Sequence, residues 1–284
     1  MTDTNNNNNN KLADADYLEN DKKRKKNVYF SKIDPGVVNS TLQYHCPSLM
    51  AVESLMERNF FVMDDFISPQ EVLALRKEVA KYHENGKMEE GQIGTGVSGS
   101  NGELRKDMRD DLIAWLEGSE SWVGPAMKKH ILRMDIFTQK IAILFDSIKP
   151  ELSWKGSSRS KIMASLYRGR EVGARYVPHY DNPNKNGRKL TTILYLNPDW
   201  RPKDGGLLRL KTTSEICDIS PLGGRLVCFW SDRRVPHEVM PAKDSDRYAI
   251  TIWYLDAEER KDAERRVAEN LKKATAAMAS SSSM

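Results

Sequence analysis

The sequence predicts a mainly β fold with packed helices, and two features of the chain support this prediction. After Pro150 the chain consists of short apolar segments separated by turn signals such as Asn197-Pro-Asp and Asp204-Gly-Gly. Many short strands joined by Gly, Pro and Asn turns are typical of a sandwich, a barrel or a jelly roll. Before Pro150 the apolar residues recur mainly at helical spacing. We therefore expect a helical N-terminal half packed on one β-rich half.

The β-rich half contains five predicted strands, each a run of apolar and β-branched residues. They cover residues 161–167, 190–196, 206–211, 225–230 and 248–254. The segment 256–277 is rich in Ala, Glu, Lys and Arg, which predicts a helix, and the serine run after it is expected to fray.

The N-terminal half begins with a predicted strand at 59–64 and a helix start signal. Ser68-Pro-Gln-Glu71 has the pattern of a capping box with proline at the first helical position. The helix that follows carries its apolar residues at helical spacing: Val72, Leu75, Val79 and Tyr82. The glycine-rich loop 91–102 is expected to be mobile, and it leads into a predicted strand at 111–116.

A second, longer helix is predicted to begin at Pro125. Its apolar stripe consists of Met127, Ile131, Met134, Ile141, Phe145 and Ile148. We interpret this stripe as core that packs against a sheet.

Composition divides the chain into three parts. Residues 1–45 are a predicted disordered tail, 46–260 a globular domain, and 261–284 a C-terminal helix with a frayed end. The tail carries an asparagine run and the basic run Lys22–Lys26. The basic run is either a nuclear address or an ordinary solvated segment.

Charge and cysteine content narrow the class of protein. The net charge is +4 over 284 residues, and much of the excess lies in the basic run, so no nucleic-acid surface is indicated. Three scattered cysteines do not make a disulfide framework or a zinc ribbon, which fits a reducing compartment. There is no apolar signal region and no apolar run long enough for a bilayer, hence no membrane partner. We expect a soluble protein of the cytoplasm or the nucleus.

The most specific chemical signal is a candidate metal site in the β-rich half. His179 and Asp181 are two positions apart, and residues at i and i+2 of a strand share a face. A second imidazole, His237, would complete a two-histidine, one-carboxylate triad, which holds non-haem Fe(II) and leaves coordination positions open. Because His-x-Asp also occurs by chance, the competing interpretation is an ordinary structural or solvated histidine.

Arg247 leads the last predicted strand and suggests the co-substrate. An arginine inside a β barrel is costly unless it meets an anion, and its planar fork binds a carboxylate bidentately. A dicarboxylate could contact the metal at one end and Arg247 at the other, and 2-oxoglutarate fits this description. The competing interpretation is a surface ion pair between Arg247 and Asp244 or Asp246.

Four blocks of the chain closely resemble the hypoxia-inducible-factor prolyl hydroxylases, a branch of the 2-oxoglutarate/Fe(II) dioxygenases. The blocks are 179–184, 195–200, 229–239 and 247–254. The resemblance implies a double-stranded β-helix, or jelly roll, and a peptidyl-prolyl 4-hydroxylase that uses Fe(II), 2-oxoglutarate and O2, with ascorbate as reductant. A protist form of the family acts on an adaptor subunit of a ubiquitin ligase.

The resemblance also implies roles for individual residues. His179, Asp181 and His237 would bind iron, and Arg247 would pair with the distal carboxylate of 2-oxoglutarate. The other implied pocket residues are Tyr195, which would bond that carboxylate, Tyr167, which would bond near the chelating end, and Thr251, Met163, Val239 and Trp253, which would line the pocket. Ordinary barrel core is the competing interpretation for the apolar and aromatic members.

Arg188 and Asp111 match positions near the peptide groove of the family, with Trp253 close by, and a solvated surface charge is the alternative for both charged residues. The chain departs from the family in its glycine-rich loop and at Leu194, which replaces an aromatic residue beside Tyr195. Both departures concern peptide specificity.

Three functions are consistent with these residues. The first is a prolyl hydroxylase whose protein substrate is a transcription factor or a ubiquitin-ligase adaptor, with a role in oxygen sensing. The second is a 2-oxoglutarate oxygenase with another protein or small-molecule substrate. The third is a non-catalytic module that binds a proline-containing partner. We expect a monomer, because no apolar stripe is left unaccounted for.

Overall fold

The computed structural model describes residues 46–93, 103–154, 158–170 and 172–281. Within it, Pro47 onward forms one compact unit. The predicted tail at 1–45 and most of the glycine-rich loop lie outside the described residues, so those two expectations remain predictions.

The described part of the chain contains four α-helices: α1 Pro47–Arg58, α2 Pro69–Glu84, α3 Pro125–Ile148 and α4 Ala257–Ser281. The predicted capping box is confirmed, because Glu71 N donates to Ser68 Oγ at 3.3 Å and Ser68 N donates to the Glu71 carboxylate at 3.0 Å. The helical segment after 255 is also confirmed.

Eleven strands are found in the described segments. They are β1 Phe60–Met63, β2 Glu89–Glu90, β3 Leu112–Leu116, β4 Ile162–Tyr167, β5 Tyr176–His179, β6 Arg188–Tyr195, β7 Leu208–Lys211, β8 Ile216–Ile219, β9 Leu226–Trp230, β10 His237–Val239 and β11 Arg247–Leu255. All seven strands expected from the sequence are present, with ends that differ by a few residues. The four short strands β2, β5, β8 and β10 were not among the seven.

The strands form two antiparallel sheets. The larger sheet has the order β1-β9-β6-β11-β4-β3-β2, and the smaller has the order β5-β10-β7-β8. Neighbours in these sheets are mostly distant in sequence, as in a jelly roll rather than a meander. The prediction of a mainly β, jelly-roll fold with packed helices is confirmed.

The two faces of the larger sheet have different partners. On the outer face, the Tyr254 hydroxyl donates to Asp135 of α3 at 2.8 Å, and Trp230 Nε1 donates to the Leu55 carbonyl of α1 at 3.1 Å. The helices therefore cover this face and form the main core with it. On the same strand β11, Arg247 and Thr251 lie an odd number of residues from Tyr254, so strand alternation places them on the opposite, inner face.

One residue of the predicted α3 stripe is not in the core. Met127, Ile131, Met134, Ile141 and Phe145 are buried, whereas Ile148 is 52% exposed. Ile148 is the last residue of α3, where the helix extends past its packing partners. Among the described helices, none combines the length and the apolar character that crossing a bilayer requires.

Candidate active site

The fold brings His179, Asp181 and His237 together. The two histidines are paired across the neighbouring strands β5 and β10, and their ring centroids are 4.3 Å apart. His179 Nε2 lies 3.9 Å from Asp181 Oδ1, and His237 Nε2 lies 3.7 Å from Asp181 Oδ2. One ligand atom from each residue falls within 4.8 Å of the other two, a spacing that can hold a metal ion.

Both imidazoles present Nε2 to this point because Nδ1 is engaged elsewhere. His179 Nδ1 is 2.8 Å from the Val177 carbonyl, and His237 Nδ1 is 3.1 Å from the Val235 carbonyl. A carbonyl can only accept, so each Nδ1 carries the proton and each Nε2 offers a lone pair. Such contacts are typical of metal-binding histidines.

Asp181 reaches the site differently from our expectation. Strand β5 ends at His179, so Asp181 is not placed by strand alternation. It lies in the turn that follows and is held there by hydrogen bonds: Thr191 Oγ1 donates to Asp181 Oδ2 at 2.7 Å, and Arg188 donates to the Asp181 carbonyl at 3.2 Å. The correct pairing of residues was thus predicted from a backbone geometry that does not apply.

The electrostatics of the three groups suit a cation. Burial, with the neighbouring His237, lowers the pKa of His179 to about 3, so its imidazole is neutral at pH 7. Burial raises the pKa of Asp181, but His237 and His179 lower it by more, so the carboxylate is ionised. A neutral imidazole and a carboxylate are the forms in which these side chains bind metals.

Arg247 is buried on the inner face, 3% exposed, with its guanidinium carbon 4.8 Å from the Tyr167 ring centroid and 4.9 Å from that of Tyr195. The surface ion pair considered as an alternative is wrong, because no ion pair of Arg247 occurs among the described residues. Arg247 Nε and the buried Tyr195 hydroxyl both lack hydrogen-bond partners in the described chain. Two such donors beside one cation fit an absent carboxylate.

A cavity of about 600 Å³ contains both the triad and Arg247. Tyr167, Thr251, Met163, Val239, Trp253 and Arg188 also line it, as the sequence predicted. Tyr195 and Asp111 are not among the lining residues; Tyr195 lies beside Arg247, and Asp111 is paired with Arg109, both of which line the cavity. The volume is ample for a five-carbon dicarboxylate and one side chain of a partner.

The two charged residues assigned to the peptide groove differ in burial. Asp111 is 1% exposed and forms a bidentate ion pair with Arg109, with distances of 2.6 and 2.9 Å. Burial lowers the pKa of Arg109, but Asp111 outweighs burial and the pKa is raised. Arg188 is half-buried, with its guanidinium carbon 4.1 Å from the Trp253 ring centroid. The alternative of an ordinary surface charge is wrong for Asp111, whereas Arg188 is partly exposed and its place in the peptide groove stays a prediction.

Sequence reasoning missed three residues at the site. Arg109 lines the cavity and anchors Asp111, Tyr176 stacks on the His179 ring with centroids 3.6 Å apart, and Thr191 holds Asp181. The ion pair between Arg109 and Asp111 depends on side-chain directions that no sequence pattern encodes. Leu194, the departure beside Tyr195, lies buried on the outer face and does not line the cavity.

Comparisons with known proteins agree with this geometry. Residues 162–255 match the model of the 2OG-Fe(II) oxygenase superfamily. Egl nine homolog 1 of Homo sapiens is 40% identical over 212 residues, which are 74% of this chain and 46% of that protein. The prolyl hydroxylase EGLN3 of Mus musculus is 35% identical over 231 residues, which are 80% of this chain and 91% of that protein.

Solved structures give the same result. A prolyl hydroxylase from Trichoplax adhaerens, in complex with a peptide fragment of the hypoxia inducible factor oxygen degradation domain, superimposes with a TM-score of 0.67 at 33% identity. The superposition covers 75% of this chain and 91% of that one. The chain spans about half the length of the mammalian Egl nine homolog 1 proteins that it matches, between 46% and 59%.

Proposed function

Because this chain belongs to the hypoxia-inducible-factor (Egl nine) prolyl hydroxylase family of 2OG-Fe(II) oxygenases, we propose that it is a peptidyl-prolyl 4-hydroxylase. The observation that carries the proposal is the triad, with Asp181 and His237 buried and His179 partly buried, in one cavity with a buried Arg247 that forms no ion pair among the described residues. A metal site alone would suit many oxidases, whereas the arginine specifies a dicarboxylate co-substrate.

His179, Asp181 and His237 would hold Fe(II) through three of its positions and leave the others open. When both are bound, Fe(II) and 2-oxoglutarate supply the oxidising chemistry that uses O2 to convert a C–H bond into C–OH, with release of succinate and CO2. The residues of this chain fix the coordination, orient the co-substrate and the peptide, and exclude water.

Arg247 would bind the distal carboxylate of 2-oxoglutarate through its guanidinium fork, and the unpartnered Tyr195 hydroxyl would donate to the same group. Tyr167, on the adjacent strand, would donate near the chelating end, and Thr251 would line the pocket wall. Burial raises the pKa of both tyrosines, so each keeps its proton and acts as a donor.

Apolar and aromatic walls would keep the reacting region dry. Met163, Val239 and Trp253 line the cavity and are at most 7% exposed. Exclusion of water strengthens the electrostatic contacts to the bound anion and protects reactive species. Their role as pocket lining is part of the same proposal.

The peptide would enter where Arg188 and Trp253 form one wall and the Arg109–Asp111 pair supports another. The substrate would be a proline in a protein target, either a transcription factor of the hypoxia-inducible type or a ubiquitin-ligase adaptor. We further propose ascorbate as the reductant and O2 as the second co-substrate, on which an oxygen-sensing role would depend. The protein would be a monomer in the cytoplasm or nucleus, without nucleic-acid or membrane partners.

Mass spectrometry of two peptides tests the proposal. One contains the proline of a hypoxia-inducible-factor degradation motif and the other that of the ubiquitin-ligase adaptor; each is incubated with the full chain, Fe(II), 2-oxoglutarate and ascorbate in air. We expect one added oxygen on a proline of at least one peptide, and none with His179→Ala or Asp181→Ala.

Each other outcome points to one of the alternatives. Succinate release without a modified peptide would indicate an oxygenase for another substrate. Peptide binding without succinate release would indicate a non-catalytic module. Undiminished turnover by either triad variant would remove the assignment of the iron ligands.

A further inference from the structure

A buried pair of hydroxyls stands behind the carboxylate of the candidate iron site. Thr191 Oγ1 is 2.7 Å from Asp181 Oδ2 and 2.8 Å from Ser231 Oγ. Thr191 is 0% exposed and Ser231 is 1% exposed, so water does not compete for these contacts. Neither hydroxyl is used by the proposed chemistry as described above.

The direction of the two hydrogen bonds follows from counting protons. Thr191 has one hydroxyl proton, and the ionised carboxylate can only accept, so Thr191 donates to Asp181. The remaining contact must then run from Ser231 to Thr191. The result is a directed chain, Ser231 to Thr191 to Asp181 Oδ2, in which each donor makes the next one stronger.

Backbone hydrogen bonds also connect Ser231 to residues close to Asp181 and Thr191 in the chain. Asn182 N donates to the Ser231 carbonyl at 2.8 Å, and Ser231 N donates to the Lys189 carbonyl at 3.1 Å. The start of the turn that carries Asp181 is thus tied to the end of β9. Because Asp181 lies outside any strand, these contacts and that of Arg188 determine its position.

We propose that Ser231 and Thr191 form a positioning relay that holds Asp181 in one-oxygen coordination of the metal. Both carboxylate oxygens face the site, since Oδ1 lies 3.9 Å from His179 Nε2 and Oδ2 lies 3.7 Å from His237 Nε2. The relay occupies Oδ2 with a hydrogen bond and thereby leaves Oδ1 as the ligand atom. A carboxylate free to rotate would bind the ion through both oxygens and occupy a further position. The relay therefore preserves open positions, and this inference rests on the proposed use of those positions by 2-oxoglutarate and O2.

Titration of the full chain with Co(II) alone tests the relay without any turnover. Co(II) prefers similar ligands to Fe(II), and its visible absorption reports the coordination number. Thr191→Val keeps the shape but removes the donor, so we expect about 10- to 100-fold weaker Co(II) binding and a changed absorption spectrum. Thr191→Ser, which restores a hydroxyl, is expected to recover both.

Thr192→Val is the matched control. Thr192 is the next residue on the same strand and is also buried, but its hydroxyl donates to the Ile252 carbonyl at 3.0 Å, away from Asp181. The Thr192→Val variant therefore loses a comparable buried hydrogen bond and a comparable amount of stability. We expect its Co(II) affinity and absorption spectrum to equal those of the wild type.

A double variant separates a relay from two independent effects. Ser231→Ala alone is expected to weaken Co(II) binding less than Thr191→Val does, and in the same direction. If Ser231 acts only through Thr191, the double variant equals Thr191→Val. A further loss in the double variant would overturn the relay.

Two other outcomes are also decisive. Wild-type affinity and spectrum in Thr191→Val, or equal losses in Thr192→Val, would overturn the relay and leave the iron site intact. A wild-type protein that binds no Co(II) would contradict the metal assignment of the proposed function and the relay with it.

Discussion

At the scale of single residues, the proposed chemistry depends on buried polar side chains that destabilise the fold when no ligand is bound to them. Arg247 is a buried cation with a donor atom that has no partner, and Tyr195 beside it has a buried hydroxyl in the same condition. Unpaired buried donors destabilise a protein by about 1–3 kcal/mol each, more when charged. Such groups are retained where a ligand completes them.

Arg247→Gln should raise the KM for 2-oxoglutarate by on the order of 100-fold, since removing one partner of a buried charge pair costs about 2–5 kcal/mol. Arg247→Lys keeps the charge but loses the fork, so we expect an intermediate value. Steady-state succinate formation at varied 2-oxoglutarate measures both. The control is Arg209→Gln, which breaks the half-buried ion pair between Arg209 of β7 and Asp218 of β8 and should leave KM unchanged. A normal KM in Arg247→Gln would refute the assigned role.

His130 should make the protein sensitive to acid. Burial, with the nearby Arg133, lowers its pKa to about 3, whereas in the unfolded chain the pKa is about 6.5. Between these values the unfolded state binds a proton that the folded state does not, so stability falls as pH falls below about 6.5.

Urea unfolding at pH 7.5 and 5.0 measures this effect. Between pH 7.5 and 5.0, the free energy of unfolding of the wild type should fall by about 2 kcal/mol more than that of His130→Gln. This figure follows from a loss of roughly 1.4 kcal/mol for each pH unit below 6.5. Equal losses in the two proteins would show that His130 is protonated in the folded state.

At the scale of elements, the start of α2 can be predicted from a local sequence signal, whereas the cap at the start of α3 cannot. The capping box of α2 is a local pattern and was predicted. Helix α3 begins after Gly124, which has no capping side chain. Instead Glu78 of α2 accepts hydrogen bonds from Ala126 N at 2.9 Å and Met127 N at 3.0 Å. A cap supplied from a distant residue leaves no signature near the helix start.

This arrangement predicts a coupling between Glu78 and Gly124. Glu78→Ala should destabilise the protein by about 1 kcal/mol, whereas Glu84→Ala, an exposed change on the same helix, should be near neutral. A Cβ at position 124 would collide with the Glu78 carboxylate. Gly124→Ser should therefore give no stabilisation in the wild type but restore part of the loss in Glu78→Ala, as chemical denaturation can measure. Equal effects of Gly124→Ser in both backgrounds would exclude the shared cap.

Short elements were the ones that the sequence did not reveal. Strands β2, β5, β8 and β10 have two to four residues each, too few for alternation to show. Their existence depends on partners in the sheets. The position of Asp181 has the same origin, because contacts from Thr191 and Arg188 place it rather than the strand period that suggested it.

At the scale of the whole molecule, the two sheets each contribute part of the site to one cavity. The larger sheet contributes Arg247, Tyr167 and Thr251 from its inner face, and the smaller sheet contributes the two histidines. His179, His237 and Arg247 could be predicted from the residues themselves, whereas the roles of Tyr167 and Thr251 were implied only by the resemblance to the family. The sequence did not predict the Arg109–Asp111 pair or the Ser231–Thr191 contact, because both arise only when separate segments are folded against each other.

The central claim is that one cavity binds Fe(II) and 2-oxoglutarate together, and the most direct test is optical. The protein is mixed with Fe(II) without oxygen, and 2-oxoglutarate is then added while visible absorption is recorded. We predict a charge-transfer band that appears only with both components, is lost in His179→Ala, and needs far more 2-oxoglutarate in Arg247→Gln. No band in the wild type at saturating concentrations, or an undiminished band in His179→Ala, would contradict the account.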